Sequence, residues 1–187
     1  MSTREKALNG IRDLLVYLGE DVNREGLIDT PERFLTSWEQ YWGKGYLSDF
    51  KDHIKTFETE NREGLILVKN IPLYSYCEHH IAPIVGKVHI GYLSSGRVLG
   101  LSKFKRIVDV FARRLQIQER LNVQIADALQ GILSPLGLAV IIEAEHLCMT
   151  SRGIQTQDSI TKTSIMYGRF RDEVALKNEF LTLLKDN

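Results

Sequence analysis

The chain has no excess of either charge: Lys and Arg number 24, and Asp and Glu also number 24. A balanced surface offers no field to draw in a polyanion, so neither nucleic acid nor an anionic membrane is an expected partner. Long apolar runs are missing as well. None approaches the roughly 20 residues of a spanning helix, and the opening MSTREKALNGIRDLL lacks the apolar core of a secretory signal. The expected location is therefore cytoplasmic. Cysteine is scarce, with only Cys77 and Cys148 in 187 residues. In a reducing compartment both should be free thiols, which favours a metal over a structural disulfide; oxidation would link them only if they lie close together. There are four prolines and no repeat, low-complexity tract or Pro/Gly/Ser-rich linker, so a single compact domain is expected.

What is present divides by hydrophobic period. Ala7, Leu8, Ile11, Leu14, Leu15 and Leu18 recur at helical spacing before Gly19. A second helix is predicted from 30-TPER-33, with Thr30 as cap and Pro31 in the first turn; Phe34, Leu35, Trp38, Tyr41 and Trp42 read as its packing face. From residue 64 the pattern becomes strand-like: 64-GLILVKNI-71, 84-IVGKVHIGYL-93 and 97-RVLGL-101. Helices over about 102–115 and 118–133 follow, then strands at 138–146 and near 161–170 and a last helix over about 174–185. Strands in a run, a helix pair and two more strands predict an α+β fold: an antiparallel sheet with the helix pair on one face. The N-terminal helical extension is placed at 1–62 and the sheet-bearing region at 63–187.

The chemistry concentrates in a few short strings. In 74-YSYCEHHIAPIVG-86, Cys77 stands three residues before His80, and sulfur with imidazole is a donor pair that suits zinc. Two ligands do not hold the ion. The remaining cysteine, Cys148, lies in 146-HLCMTSRG-153, where the strand 138–146 ends. If that end meets the C-x-x-H turn, Cys77, His80 and Cys148 give three protein ligands and leave one tetrahedral position open, as catalytic zinc sites do. The plainer alternative is a pair of small buried thiols. His79 and His146 each lie within two residues of a proposed ligand and would be placed to move protons near neutral pH; taken singly, each reads as well as a packing histidine or one that supports a ligand. His89 reads as a polar-face strand residue, His53 as a surface residue, and Glu78 has no assigned role.

A second group is cationic. Ser102 reads as an N-cap, with Lys103 and Arg106 one turn apart at a helix start that favours anions, and Arg152 follows Cys148 by four residues. Together they suit a polyphosphate; singly, each reads as a solvated charge. Glu119, with Gln118 beside it, offers a carboxylate able to accept from the adjacent N1–H and N2–H2 of guanine, a donor pair that adenine lacks; by itself a Glu at a helix start reads as favourable dipole chemistry.

The strings 18-LGEDVNREGLIDTPER-33, 74-YSYCEHHIAPIVGKVHIGY-92, 99-LGLSKFKRIVDVFARRLQIQERL-121 and 145-EHLCMTSRG-153 resemble type I GTP cyclohydrolase. CEHH, GLSK, QxQERL and HxCMxxRG in that order are together very specific to it. The resemblance implies a tunnelling fold, a toroidal homodecamer with active sites at subunit interfaces, and conversion of GTP to 7,8-dihydroneopterin triphosphate and formate, the first step of pterin and folate synthesis. It places zinc on Cys77, His80 and Cys148 and catalysis on His79 and His146. It also places guanine on Glu119 with Gln118, and the triphosphate on Ser102, Lys103, Arg106, Arg152 and, from the TPER turn, Arg33. Two alternatives predict different sites. A nitrile reductase of the same fold would use one cysteine and a nicotinamide cofactor, and a zinc-stabilised binding module would close its site with four ligands.

Overall fold

The computed structural model describes residues 1–60 and 63–185, which fall into two compact units, Met1–Lys44 and Gly45–Asn187. The first holds α1 (Thr3–Tyr17) and α2 (Thr30–Ser37), the latter running into a wide π turn over Trp38–Trp42. A capping box starts α1: Ser2 Oγ accepts from Glu5 N and the Glu5 carboxylate accepts from Ser2 N, a device worth about 1 kcal/mol. Arg4 ties the helices by pairing with Glu32 and Glu39. Asp29, not Thr30, occupies the cap position of α2, with Pro31 in its first turn. Phe34 and Trp38 both pack edge-on against Trp42, whereas Tyr41 is exposed.

The second unit contains β1 (Thr56–Glu58), β2 (Leu65–Cys77), β3 (Pro83–Leu93), β4 (Arg97–Leu99), α3 (Leu101–Ala112), β5 (Leu115–Gln116) and α4 (Gln118–Leu133). These are followed by β6 (Gly137–His146), α5 (Leu147–Thr150), β7 (Ile160–Gly168), α6 (Arg169–Asp172) and α7 (Val174–Lys185). Residues 45–60, grouped by sequence with the helical extension, bond into this unit: Gly45 N donates to Arg113 O, and β1 pairs with β4. The main sheet has the order β5-β2-β3-β6-β7 and is antiparallel except for the two-residue β5–β2 pair. Among the described residues no helix is long and apolar enough to cross a membrane.

The α+β architecture is the one expected, with α3 and α4 together on one face of the sheet. Phe104, Ile107 and Val108 of α3 and Leu121, Ile125 and Leu129 of α4 join Leu73, Val88, Ile90, Val140 and Ile142 in the larger core cluster. Each of these side chains contributes roughly 1.5–3 kcal/mol when fully buried. The C-terminal helices cover part of the opposite face, where Phe170, Leu176 and Phe180 pack on Leu93, Ala139 and Ile141. Gly91 is required there, because a Cβ would lie 2.5 Å from the Phe180 ring.

One irregularity sets which way the functional residues face. Strand β2 shifts register between Val68 and Ile71, and Asn70 adopts φ +60°. Before this bulge Leu65 and Leu67 pack toward the C-terminal helices; after it Ile71, Leu73 and Cys77 turn to the α3–α4 face. An extra residue reverses the two-residue alternation. The bulged Asn70 N–H donates to His89 Nδ1 at 3.2 Å. His89 is thus not a polar-face residue: it is 5% exposed and stitches the bulge.

Candidate active site

Three features of the sheet bring distant residues to one end. Strand β2 ends at Cys77, and a tight turn returns the chain to β3, closed by Ile81 N to Cys77 O and Cys77 N to Ala82 O, both at 2.8 Å. Strand β3 begins where β6 finishes, with Ile84 opposite His146, so Cys148 emerges beside the turn. The β5–β2 pairing sets Gln116 against Cys77, and α4 starts two residues later. Residues 77–80, 116–119 and 146–148 therefore share one end of the sheet although they lie tens of positions apart.

The ligand atoms of Cys77, His80 and Cys148 all lie within 4.8 Å of one another. Cys77 Sγ is 3.8 Å from His80 Nδ1 and 3.7 Å from His79 Nδ1. Both cysteines are free, Cys77 buried and Cys148 partly so. Burial, reinforced by the neighbouring Cys77, pushes the Cys148 thiol up. Two soft sulfurs and an imidazole converging this closely fit a zinc-type ion, which would ionise both thiols. Arg152 Nη1 lies 2.7 Å from His80 Nε2, next to this group.

A cavity of about 230 Å³ opens on the cluster, lined in part by Cys77, His79, Glu119, His146, Cys148 and Met149. His146 is held by a 2.7 Å contact from Nε2 to Gln118 Oε1. Burial depresses its pKa, opposed in part by Glu119. Glu119 itself is exposed in the first turn of α4. Gln118 is 2% exposed, and its amide N–H groups face acceptors on β6 and β7. Expected as an amide partner for guanine, it has no N–H left to offer one.

The remaining expected residues sit elsewhere. Ser102, Lys103 and Arg106 do not line the cavity. They occupy the first turns of α3, whose cap is Gly100, so Ser102 is a first-turn residue and not the cap. Arg33 lies in the first unit and pairs with Asp29 at 3.0 Å. Sequence reasoning missed the role of Glu78: its carboxylate pairs with Arg120, which holds it below the usual carboxylate range. Arg120 Nε also donates to Gln116 Oε1 at 3.1 Å, and Glu78 N donates to Gln116 O, also at 3.1 Å. The metal-ligand turn is thereby tied to the start of α4. A cation two residues after Gln118 was visible as the signal; its target was not.

A cavity that combines a soft metal-ligand group, two histidines and a carboxylate has the make-up of a hydrolytic active site. A family model described as GTP cyclohydrolase I matches residues 7–185, and the chain belongs to that family. It is 49% identical over 174 residues to "GTP cyclohydrolase 1 2" of Pseudomonas aeruginosa, covering 92% of this chain and 95% of the relative. It is 48% identical to "GTP cyclohydrolase 1" of Thermoanaerobacter pseudethanolicus over 98% of both chains. With the Saccharomyces cerevisiae protein of that name it shares 50% identity over 96% of this chain and 74% of the relative. A solved archaeosine synthase QueF-like protein matches at a TM-score of 0.47 and 19% identity, over 56% of this chain and 93% of that one, too slight a likeness to bear on the assignment.

Proposed function

We propose that the protein converts GTP to 7,8-dihydroneopterin triphosphate and formate, as a zinc enzyme of the cytoplasm. The observation that carries this is the convergence of Cys77, His80 and Cys148 within 4.8 Å beside a cavity that also holds His79, His146 and Glu119. A zinc ion there would act as a Lewis acid and activate water for addition at guanine C8. Glu119 accepts from N1–H and N2–H2 and orients the ring. His146 gives a proton to N7 as the imidazole ring opens to a formamide. A second water releases formate. His79 moves protons during opening and rearrangement of the ribose, and condensation of the freed amine with the sugar carbonyl expels water to close the pterin ring.

Ser102, Lys103, Arg106, Arg152 and Arg33 are assigned to the triphosphate. Binding energy spent on the remote phosphates holds C8 and N7 in place, where orientation is worth several kcal/mol. Because Ser102, Lys103 and Arg106 do not line this chain's own cavity, a second copy is the natural source of some of these contacts. Strand β7 supports such assembly: among the described residues its outer edge is unpaired, and Ile160 is exposed. An exposed strand edge is a ready surface for pairing. The toroidal homodecamer is therefore part of this proposal.

The test is turnover of GTP against ATP, read as formate and as a fluorescent pterin after oxidation, with sedimentation on the same sample. GTP-specific release of both products from an oligomer is expected. Binding of GTP without formate would replace this reading with a binding module.

A further inference from the structure

Gln118 is buried at the first position of α4, and its neighbours fix the orientation of its amide. Two of them are main-chain carbonyls, Ile142 O at 3.2 Å and Thr161 O at 3.1 Å, and carbonyl oxygens only accept. The nitrogen therefore faces β6 and β7, with Thr163 Oγ1 a third neighbour at 3.2 Å. Flipping the amide would set its oxygen against both carbonyls and lose two buried hydrogen bonds. Gln118 Oε1 is thus the atom 2.7 Å from His146 Nε2. An amide oxygen accepts, so His146 Nε2 must carry the hydrogen. A neutral imidazole has a single N–H, which leaves Nδ1 with a bare lone pair.

We propose that Gln118 is a positioning residue: it locks His146 in the Nε2–H tautomer and assigns proton exchange with the substrate to Nδ1. The inference rests on the reading of His146 as the proton donor to the purine ring. When Nδ1 takes up a proton, the ring becomes imidazolium and its Nε2–H stays on Gln118. When Nδ1 gives that proton to N7, the same hydrogen bond persists and the ring returns to its starting tautomer. The Gln118 carbonyl thus supports the cation without moving, and strands β6 and β7 hold Gln118 through its nitrogen. The pairing explains why an uncharged glutamine is buried here and why no amide hydrogen remains for guanine.

The test uses full-length, zinc-loaded protein labelled with 15N in histidine and observed at about pH 8, above the ordinary histidine range. The His146 resonances are assigned by their loss in His146→Asn. The wild type should show the Nε2–H pattern, with a slowly exchanging Nε2 proton. In Gln118→Met, which keeps the length and removes the acceptor, that proton should be lost to exchange. In the same variant kcat should fall about 10- to 100-fold, with KM for GTP little changed. A wild-type Nδ1–H pattern overturns the proposal and needs no variant to fold. So does a Gln118→Met enzyme with raised KM and intact kcat, the signature of a lost guanine contact. If the wild type releases no formate, the functional reading fails, while the tautomer result still decides the placement of Gln118.

Discussion

His146 and His89 are both buried enough to depress their pKa, for the same first reason, desolvation of the charged ring. They differ in what the second nitrogen does. His146 gives Nε2 to Gln118 and lines the cavity. His89 spends Nδ1 on the bulged Asn70 N–H, and its Nε2 is buried with no hydrogen-bond partner among the described residues. On the proposed reading the first is held so that one nitrogen can exchange protons; the second maintains the irregularity that turns Cys77 to the helix-pair face. A depressed pKa reports burial, and the surroundings of the free nitrogen decide whether it reports chemistry.

The largest effect expected from this contrast is on turnover. His146→Asn should lower formate release by roughly 10²- to 10⁴-fold, the usual span for a general acid, while His89→Gln, which keeps an acceptor for Asn70, stays near wild type in a GTP assay. Equal losses would mean that His89 also serves the reaction. Next comes the bulge. Asn70→Val places a β-branched residue at φ +60° and should cost about 1–2 kcal/mol in denaturant unfolding, whereas Asn70→Gly should be nearly neutral.

The pH response is smaller. His89 sits among Glu143, which opposes the depression, and Lys87, Lys162 and Lys69, which add to it. With its folded value below the unfolded one, the unfolded chain binds more protons. The stabilisation is complete above about pH 6.5 and is lost as pH falls through the folded value. Unfolding midpoints should drop over that window, and His89→Gln should flatten the fall. The smallest effect is on the Glu78–Arg120 pair, part-exposed on both sides: Glu78→Gln should leave the melting temperature unmoved, because exposed pairs are screened.

Much of this was legible in the chain. The apolar period of Phe104, Ile107, Val108 and Phe111, and of Leu121, Ile125 and Leu129, marked the helix pair, and C-x-x-H with a distant Cys148 marked a Cys-His-Cys group able to hold a metal. What stayed hidden depends on register and on non-local contact. The bulge at Asn70 carries no strong signature, so neither the burial of His89 nor the facing of Cys77 followed from alternation. Ser102 resembled a cap, yet Gly100 takes the cap position, because a favourable residue does not fix a boundary to within two positions. Gln118 looked available to a base because the carbonyls of Ile142 and Thr161 reach it only when β6 and β7 fold beside α4.

The most direct test is zinc content and formate release measured on one preparation of the wild type and of Cys148→Ala. About one zinc per chain with turnover is expected in the wild type, and loss of both together in the variant. A zinc-free Cys148→Ala protein that still releases formate at the wild-type rate would contradict it.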